Sequence, residues 1–572
     1  MPYVPVFEVE EEQYGSLDPR VQYFLKKYKE AESIHDHWKD KYEEAYEYTM
    51  PQRESFYEET IGERRTDKIF DETAVVGIQE FASRLQSGMV PTYGRWANLE
   101  AGVEIPDDVK PQVNEQLDAI TNYIFEVLSG SNFNQEVHEA FMDLAIGTAV
   151  LQIEEGDSIN PLRFTAVPLP KVMLNNGPDQ KVDTIFRKRS MSYKHLKVAY
   201  PRAELGERTM KCLEDSPNKK CIVVECVYKM YDKPNEERYK YQVVCLKEKE
   251  MILEQELKGD GSNPYIVFRW NKASGEVYGR GPVFNAMAAI KTTNLTVEMI
   301  LQNAQMNISG IYTYEDDGVI NPENINLVPG SLIPIAPNSR GLQALPPAGR
   351  FDVAQLILQD MRSNIKKALY METLGRPEGT PMSATEVAER MADLSRQIGS
   401  SFGRLQAEFV NPLLQRVIRI LIKQGKIDIP KVNNRKVKIV ATSPLSKAQY
   451  QQDVADVLRF AEIIGTTFGP QVLNMVTKQD EIARYLVDKM GLPEKLIRSK
   501  EEQAQIIQQL QSQMQQGTNT DVMGNTGQPQ GWYKNSTNRY WFCYCLFKWT
   551  RQKGIRISWI YDYKCYCIST DT

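Results

Sequence analysis

At 572 residues, 42% hydrophobic and 25% charged, the chain exceeds one compact core and has the composition of an ordinary folded protein, so several domains or an extended protomer are expected. The net charge of −6 argues against a tight, static grip on nucleic acid, which needs a basic excess, but it permits weak contact with DNA sliding past. No apolar run approaches the ~18–20 residues that span a bilayer, and the acidic start MPYVPVFEVEEEQ lacks a basic-then-apolar signal pattern, so a cytoplasm-like compartment and no membrane partner are expected.

Asp18 to Glu47 reads as a charged helix with an aromatic and aliphatic seam of Val21, Phe24, Leu25, Tyr28, Trp38, Tyr42 and Tyr46, ended at Met50-Pro51. Asp71 to Met89 is a second helix, with Val75, Val76, Ile78, Phe81, Leu85 and Met89 at helical spacing, stopped by Pro91. Trp96 to Leu99 reads as a strand, and Lys110 to Leu128 and Asn134 to Ala145 as helices. A β-rich middle follows: Ala149 to Glu155, Phe164 to Leu169, Lys220 to Tyr231, Tyr239 to Leu246 and Pro264 to Trp270, separated by Asn, Gly, Pro and Asp turns. The fold class is α+β, with the mixed body running from about Glu104 to Val277.

Gly279-Arg-Gly-Pro282 then starts a helix that reaches about Asn307. Ile311 to Tyr314, Asn326 to Val328 and Ser331 to Ile335 form a small β module, and Phe351 to Tyr370 returns as a helix. Leu374 to Met382 is a Gly/Pro loop, after which Ser383 and Glu386 form a capping box for a long amphipathic helix carrying Val387, Met391, Leu394, Ile398, Phe402, Leu405 and Phe409. Pro412 is expected to kink that helix, which continues to about Lys423. Ile427 to Val440 is strand-like, and Lys447 to Lys489 and Glu494 to Gln516 are helical, the last with eight glutamines between Gln503 and Gln516. Two helices flanking a β module make a stalk with a tip, a unit that makes sense when many copies stand around a central hole.

Gly517 to Gln530 is low-complexity. Gly531 to Thr572 holds four of the seven tryptophans and four of the eight cysteines, among them Cys543, Cys545, Cys565 and Cys567. Paired Cys-x-Cys units could bind zinc, but the segment has no helical or strand logic, and an out-of-frame extension or disordered appendage is the favoured reading. Cys212, Cys221, Cys226 and Cys245 lack metal-ligand spacing and read as reduced structural thiols; Cys221 and Cys226, five apart, fall on opposite faces of a strand.

Chemistry for an enzyme is not visible. There is no P-loop, no Gly-x-Ser-x-Gly elbow and no His-Glu-x-x-His helix. Gly279 and Gly281 open a helix after a strand, but without the third glycine of a dinucleotide site they read as a helix start. His35 and His37 diverge by ~200° on their helix and cannot share a ligand; with His138 and His195 they are expected in structural or surface roles. No catalytic residue, cofactor or metal is expected.

The stretches YEEAYEYTMP (Tyr42 to Pro51), RLQSGMVPTYGRWANL (Arg84 to Leu99), LAIGTAVLQIEE (Leu144 to Glu155), GEVYGRGPVFNAMAAIKTTNLTVEMI (Gly275 to Ile300), GRPEGTPMSATEVAERM (Gly375 to Met391) and GLPEKLIRSKEEQAQIIQQLQSQMQQG (Gly491 to Gly517) stand in an order and spacing that resembles the head-to-tail connector, or portal, proteins of short-tailed bacteriophages. The resemblance covers about Arg20 to Gly517 and implies a portal-type protomer with an α/β wing, a two-helix stem, a small β-containing clip and an α-helical crown, assembling into a ring at one capsid vertex.

Carried onto this chain, it implies an N-terminal helical part of the wing at 1–100, the α/β wing at 101–280, stem helices at 281–307 and 351–370, and the clip at 308–350. A tunnel loop would occupy 371–382, the long wing helix and strands 383–446, the crown 447–516 and an atypical tail 517–572. The ring, dodecameric in the family, would pass double-stranded DNA and meet terminase, tail adaptor or tail tube proteins, and major capsid and scaffolding proteins. It would belong to the virion and be assembled in the host cytoplasm. The tunnel loop residues Gly375, Arg376, Pro377, Gly379, Thr380, Pro381 and Met382, with Lys366 and Lys367 on the returning helix, would face DNA; Tyr312, Tyr314, Asn321 and Asn324 would serve the clip. Two other readings stand beside it: a self-associating scaffold protein of a virion, without a DNA channel, joined through Ser383 to Lys423, and a hydrolase acting on nucleic acid.

Overall fold

The computed structural model describes residues 17–57, 65–92, 94–102, 110–157, 159–233, 236–309, 351–371, 398–399, 401–428, 437–441, 444–469 and 476–490, with short pieces at 312–313, 337, 343–344 and 508. Contacts divide the chain into Met1–Ile497 and Arg498–Thr572, and the elements below all belong to the first unit.

Helices α1 (Pro19–Thr49) and α2 (Thr73–Met89) lead into strand β1 (Ala97–Ala101), then α3 (Lys110–Ser129) and α4 (Phe133–Ile146). Strands β2 (Thr148–Glu155), β3 (Leu162–Ala166), β4 (Val172–Asn176) and β5 (Val182–Ser192) precede two short helices, α5 (Tyr193–Ala199) and α6 (Glu207–Asp215). Strands β6 (Lys220–Met230), β7 (Arg238–Cys245), β8 (Glu250–Lys258) and β9 (Tyr265–Arg269) complete the mixed body. After it come α7 (Pro282–Ser309), the short strands β10 (Tyr312–Thr313) and β11 (Gln343–Ala344), α8 (Phe351–Ala368), α9 (Asn411–Lys423), β12 (Val437–Ala441), α10 (Pro444–Phe468) and α11 (Gln479–Met490).

The larger sheet is an antiparallel meander in the order β4-β5-β6-β7-β8. Its alternation is visible in KCIVVECVYKM. Val224 and Cys226 face Val21, Phe24, Leu25 and Tyr28 of α1, whereas Cys221 and Val223 face Tyr193, Leu196 and Tyr200 at α5. The predicted opposition of Cys221 and Cys226 follows from that period of two. All four described thiols are unpaired by disulfides, and full burial pushes the Cys226 thiol well up.

The smaller sheet, β3-β2-β9, lies in the main core with α4 and the α9 region. Phe141, Phe268 and Phe409 pack there as a trio, with Phe268 and Phe409 centroids 4.6 Å apart. Each such side chain contributes about 1.5–3 kcal/mol by leaving water. The two sheets are joined by a polar knot: Glu225, 1% exposed, accepts hydrogen bonds from Arg189 (2.8 Å), Tyr200 and Tyr265. Burial alone would raise this carboxyl, but the Arg187 and Arg189 charges and the Tyr200 hydroxyl hold it below its usual range.

Several expectations change in detail. Basic β5 and charged β8 extend the sheet beyond the strands read from hydrophobicity, and α5 and α6 are too short to show a helical period. At Pro412, where the sequence predicts a kink, the structure has a π-helical turn, Gln406–Val410, followed directly by α9, with Val410 and Asn411 both right-handed helical. A proline inside a helix removes one N–H donor and crowds the carbonyl four residues before it, and a π-turn just ahead of Pro412 accommodates both. The single helix expected over 447–489 is two, α10 and α11, separated after Phe468 where Gly469, left-handed at φ 87°, precedes Pro470. Of the strand-like stretch 427–440, β12 is the described strand. The capping box at Ser383 and Glu386, the start of the long helix, the polar helix 494–516 apart from Gln508, and the Trp/Cys-rich tail lie outside the described residues.

Candidate functional site: the stem and its base

Helices α7 and α8, which cover the stretches expected to be stem helices, pack against each other. The bounds shift by one or two residues from 281–307 and 351–370 to Pro282–Ser309 and Phe351–Ala368. Burial is uneven along them. The first turns of α7 are sunk in the main core through Val283, Ala286 and Ile290. Further along, Leu295, Met299 and Leu301 on α7, with Leu356 and Ile357 on α8, are 42–63% exposed. Their chemistry is that of residues normally hidden, so the outer stem displays an apolar surface within this protomer.

The start of α7 shows why glycine stands at 279 and 281. A Cβ on Gly281 would lie 2.0 Å from the Ala145 carbonyl oxygen, and one on Gly279 2.3 Å from that of Gly147. The backbones touch: Gly281 N–H donates to Ile146 O at 2.7 Å, and Tyr42 donates to Gly279 O at 2.8 Å. The expected helix start is therefore also a joint between α4, α1 and the stem.

Helix α2 lies beside the lower stem and is tied to it at both ends. Asn294 of α7 accepts from the Phe70 and Asp71 amides at 2.8 and 2.9 Å. Asp71 accepts from Thr73 N–H at the start of α2 and pairs with Arg362 of α8 at 2.6 Å. Burial would raise the Asp71 carboxyl, but Thr73 and Arg362 outweigh it and hold it below its ordinary value. At the other end, Arg84 Nη1 donates to Tyr370 O at 2.8 Å and to Met371 O at 2.5 Å.

Of the residues predicted to face DNA, Lys366 and Lys367 are exposed on the last turn of α8, where cations also suit the helix dipole. Gly375, Arg376, Pro377, Gly379, Thr380, Pro381 and Met382 lie outside the described residues, as do Tyr314, Asn321 and Asn324 of the expected clip. Tyr312 is on β10, which pairs antiparallel with β11 through Tyr312–Ala344 and Thr313–Gln343. Sequence reasoning missed Asp71, Arg84, Asn294 and Arg362 as the residues that tie α2 to the stem.

The histidines are dispersed. His35 is buried between Phe56 and Tyr278, and burial takes it down to about 4. His37 contacts the Ser33 carbonyl, His138 the Gln86 side chain and His195 the Ser192 hydroxyl. Among the described residues no group of His, Cys, Asp and Glu is arranged to hold a metal ion, and no helix is long and apolar enough to cross a membrane.

Among the described residues, a mixed helix and strand body carries the packed pair α7 and α8. Residues 22–497 match the family described as bacteriophage head to tail connecting protein, and the chain belongs to that family. It is similar to a probable portal protein of Bordetella phage BPP-1, 21% identical over 529 residues covering 87% of this chain and 91% of that protein. It is also similar to the portal protein of Salmonella phage epsilon15, 21% identical with 86% and 91% covered, and to that of Escherichia phage T7, 20% identical with 66% and 70% covered. Among solved structures, a chain in the virion of a native gene transfer agent particle is 13% identical, with 76% of this chain and 94% of that chain covered and a TM-score of 0.30. At that score the likeness carries no structural argument.

Proposed function

We propose that this protein is a non-enzymatic portal: a ring of identical subunits at one capsid vertex through which double-stranded DNA enters, is retained and leaves. The observation that carries the reading is the family match across residues 22–497. The stem supports it physically. Leu295, Met299, Leu301, Leu356 and Ile357 are apolar and exposed in one protomer, and side-by-side copies in a closed ring would cover them. The ring is a dodecamer, resident in the virion and assembled in the host cytoplasm. Its partners are terminase during packaging, then tail adaptor or tail tube proteins at the clip (308–350), with major capsid and scaffolding proteins around the wing and crown.

Segment 371–382 lines the channel with Arg376, and Lys366 and Lys367 stand at its edge. A few lysines on an acidic chain give weak, salt-screened contacts with phosphate, as sliding requires. The test is electron microscopy of the purified full chain with end-view class averages. Rings around an open channel support the reading; particles without rotational symmetry refute it and leave the scaffold alternative. The double variant Lys366→Glu, Lys367→Glu should still form rings yet retain less packaged DNA.

A further inference from the structure

Residues 184–203 carry six lysines and arginines and not one Asp or Glu, on a chain whose net charge is −6. Two of the six turn inward: Arg187 bonds the Gln152 side chain and Arg189 pairs with Glu225. Lys194, Lys197 and Arg202 are exposed. The fold brings two more cations to the same end of the larger sheet. β5 ends at Ser192 opposite Lys220 of β6, and the Tyr193 and Lys194 amides donate to the Lys219 and Pro217 carbonyls at 3.2 and 3.0 Å. Tyr193, Leu196 and Tyr200 of α5 bury against Cys221, Val223 and Val243. That leaves Lys194 and Lys197, one turn apart, in water beside exposed Lys219. Lys220, also exposed, starts the strand with its side chain on the other face from Cys221. The four lysines thus wrap one corner of the sheet.

Among the described residues no carboxylate lies within ion-pairing distance of Lys194, Lys197, Arg202, Lys219 or Lys220, although Glu214 and Asp215 stand just before that turn. Elsewhere lysines are met: Lys68 by Glu47, Lys171 by Glu54, Lys240 by Glu254 and Lys291 by Glu44. Unpaired like charges gathered at one corner repel one another, and a polyanion relieves that repulsion. The surroundings of the charges fix its kind. Protein interfaces are poor in lysine and centre on buried aromatic or apolar anchors. Here Tyr193 and Tyr200 are turned into the core, and Val198, 77% exposed, is the apolar side chain left outside on α5. A lysine is a hydrated point charge on a flexible stem, which suits phosphate oxygens in any sequence, whereas a carboxylate is better held by the arginine fork.

We propose that the lysine corner of Lys194, Lys197, Lys219 and Lys220 binds the phosphate backbone of double-stranded DNA, without sequence preference, as a surface separate from the channel. It is built on α5, β5 and β6, not on α7 or α8. The acidic chain around it keeps the contact weak and strongly salt-dependent. Four neutralised phosphates give a slope of about −3.6 in log affinity against log salt, or roughly a 100-fold loss from about 50 to about 200 mM. The inference does not depend on the channel reading, since rings form or fail to form whether or not this corner holds DNA.

The test titrates the full chain into a labelled duplex of mixed sequence, read by fluorescence anisotropy across a salt series. Protection of each lysine from acetylation by bound DNA is mapped by mass spectrometry, which reads the site in the parent without any substitution. Three variants accompany it: the four corner lysines changed together to Gln, the same four changed to Arg, and Lys366→Glu with Lys367→Glu. In the parent, DNA is expected to protect Lys194, Lys197, Lys219 and Lys220. The Gln variant should lose at least about tenfold in affinity at low salt and most of the salt slope. The Arg variant should keep both, and melting temperatures and rings should be unchanged, because these side chains are exposed. No binding by the parent at low salt, or no protection of the four lysines, overturns the proposal. So does a Gln variant that binds like the parent while the Lys366→Glu, Lys367→Glu variant does not, which places the contact at α8. Polyglutamate of equal charge binding the corner more tightly than the duplex shows a surface for an acidic protein and overturns it as well. Rings lost in the Gln variant and kept in the Arg variant, with DNA affinity unchanged, show a role in assembly and also overturn it.

Discussion

Gly281→Ala isolates the joint between the body and the stem. The new methyl would sit 2.0 Å from Ala145 O, 2.5 Å from Ala145 C and 2.5 Å from Ile146 C, all backbone atoms that no rotamer change can move aside. To restore even a tight contact of about 3 Å, the start of α7 and the end of α4 must part by roughly 1 Å. That movement stretches the 2.7 Å bond from Gly281 N–H to Ile146 O beyond useful length. Overpacking of this kind costs about 1–3 kcal/mol, and a buried backbone pair left unmade costs about 1–3 kcal/mol more. The expected destabilisation is therefore about 2–6 kcal/mol. Gly403→Ala is the control, because a Cβ there meets nothing within 4 Å and alanine in a helix gains about 1 kcal/mol over glycine. Denaturant unfolding of both variants against the parent measures the difference. If Gly281→Ala unfolds at the same denaturant concentration as Gly403→Ala, the close-approach argument is wrong.

Other consequences can be checked on the same preparations. His35 is held neutral by burial, at about 4 against an ordinary 6.5. The unfolded chain therefore takes up the proton first as pH falls: the stability is intact above pH 6.5 and is lost between 6.5 and about 4, by roughly 3 kcal/mol in all. His35→Phe should flatten that part of the pH–stability curve, and a slope unchanged from the parent would refute the assignment. Glu225→Ala leaves Arg189, Tyr200 and Tyr265 without their shared acceptor and is expected to lower stability by about 3–5 kcal/mol, as breaking a buried pair does. A calorimetric change below about 1 kcal/mol would contradict it. Alkylation of the native protein, mapped by peptide, should label half-buried Cys212 well before Cys221, Cys226 and Cys245, which are 0–1% exposed; equal labelling would mean that the sheet is not packed on both faces.

What the sequence disclosed depended on the range of the signal. Helices α1 to α4 were legible to within about two residues, because apolar spacing and the Met50-Pro51 and Pro91 stops are local. Strands β5 and β8 were not, since VDTIFRKRSMS and EMILEQELK carry charges on partly exposed faces and show little hydrophobic alternation. Lys366 and Lys367 could be placed near a helix end from sequence because charge on a helix end is a local property. Arg84 could not: its partner is a main-chain carbonyl 286 residues away, and a carbonyl has no sequence letter. Tyr370 is left-handed, at φ 58°, and that turn was hidden for a related reason, as the residue that normally marks it, glycine, is absent. Gly279 and Gly281 were visible as a helix start, but the need for glycine comes from Gly147 and Ala145, which only the fold brings near.

Strand β1 pairs with β12, Ala97 against Ala441 through Ala101 against Val437. On the ribosome, then, β1 emerges early and has no β12 to bond until the chain has reached residue 441. At roughly 5–20 residues per second, that wait is on the order of tens of seconds. Through that interval a short strand presents an open edge to its siblings on the same message. The proposed ring would bring many copies together, so nascent copies must not join by the wrong edge. The brevity of β1, five residues, limits how well a stray neighbour can hold it.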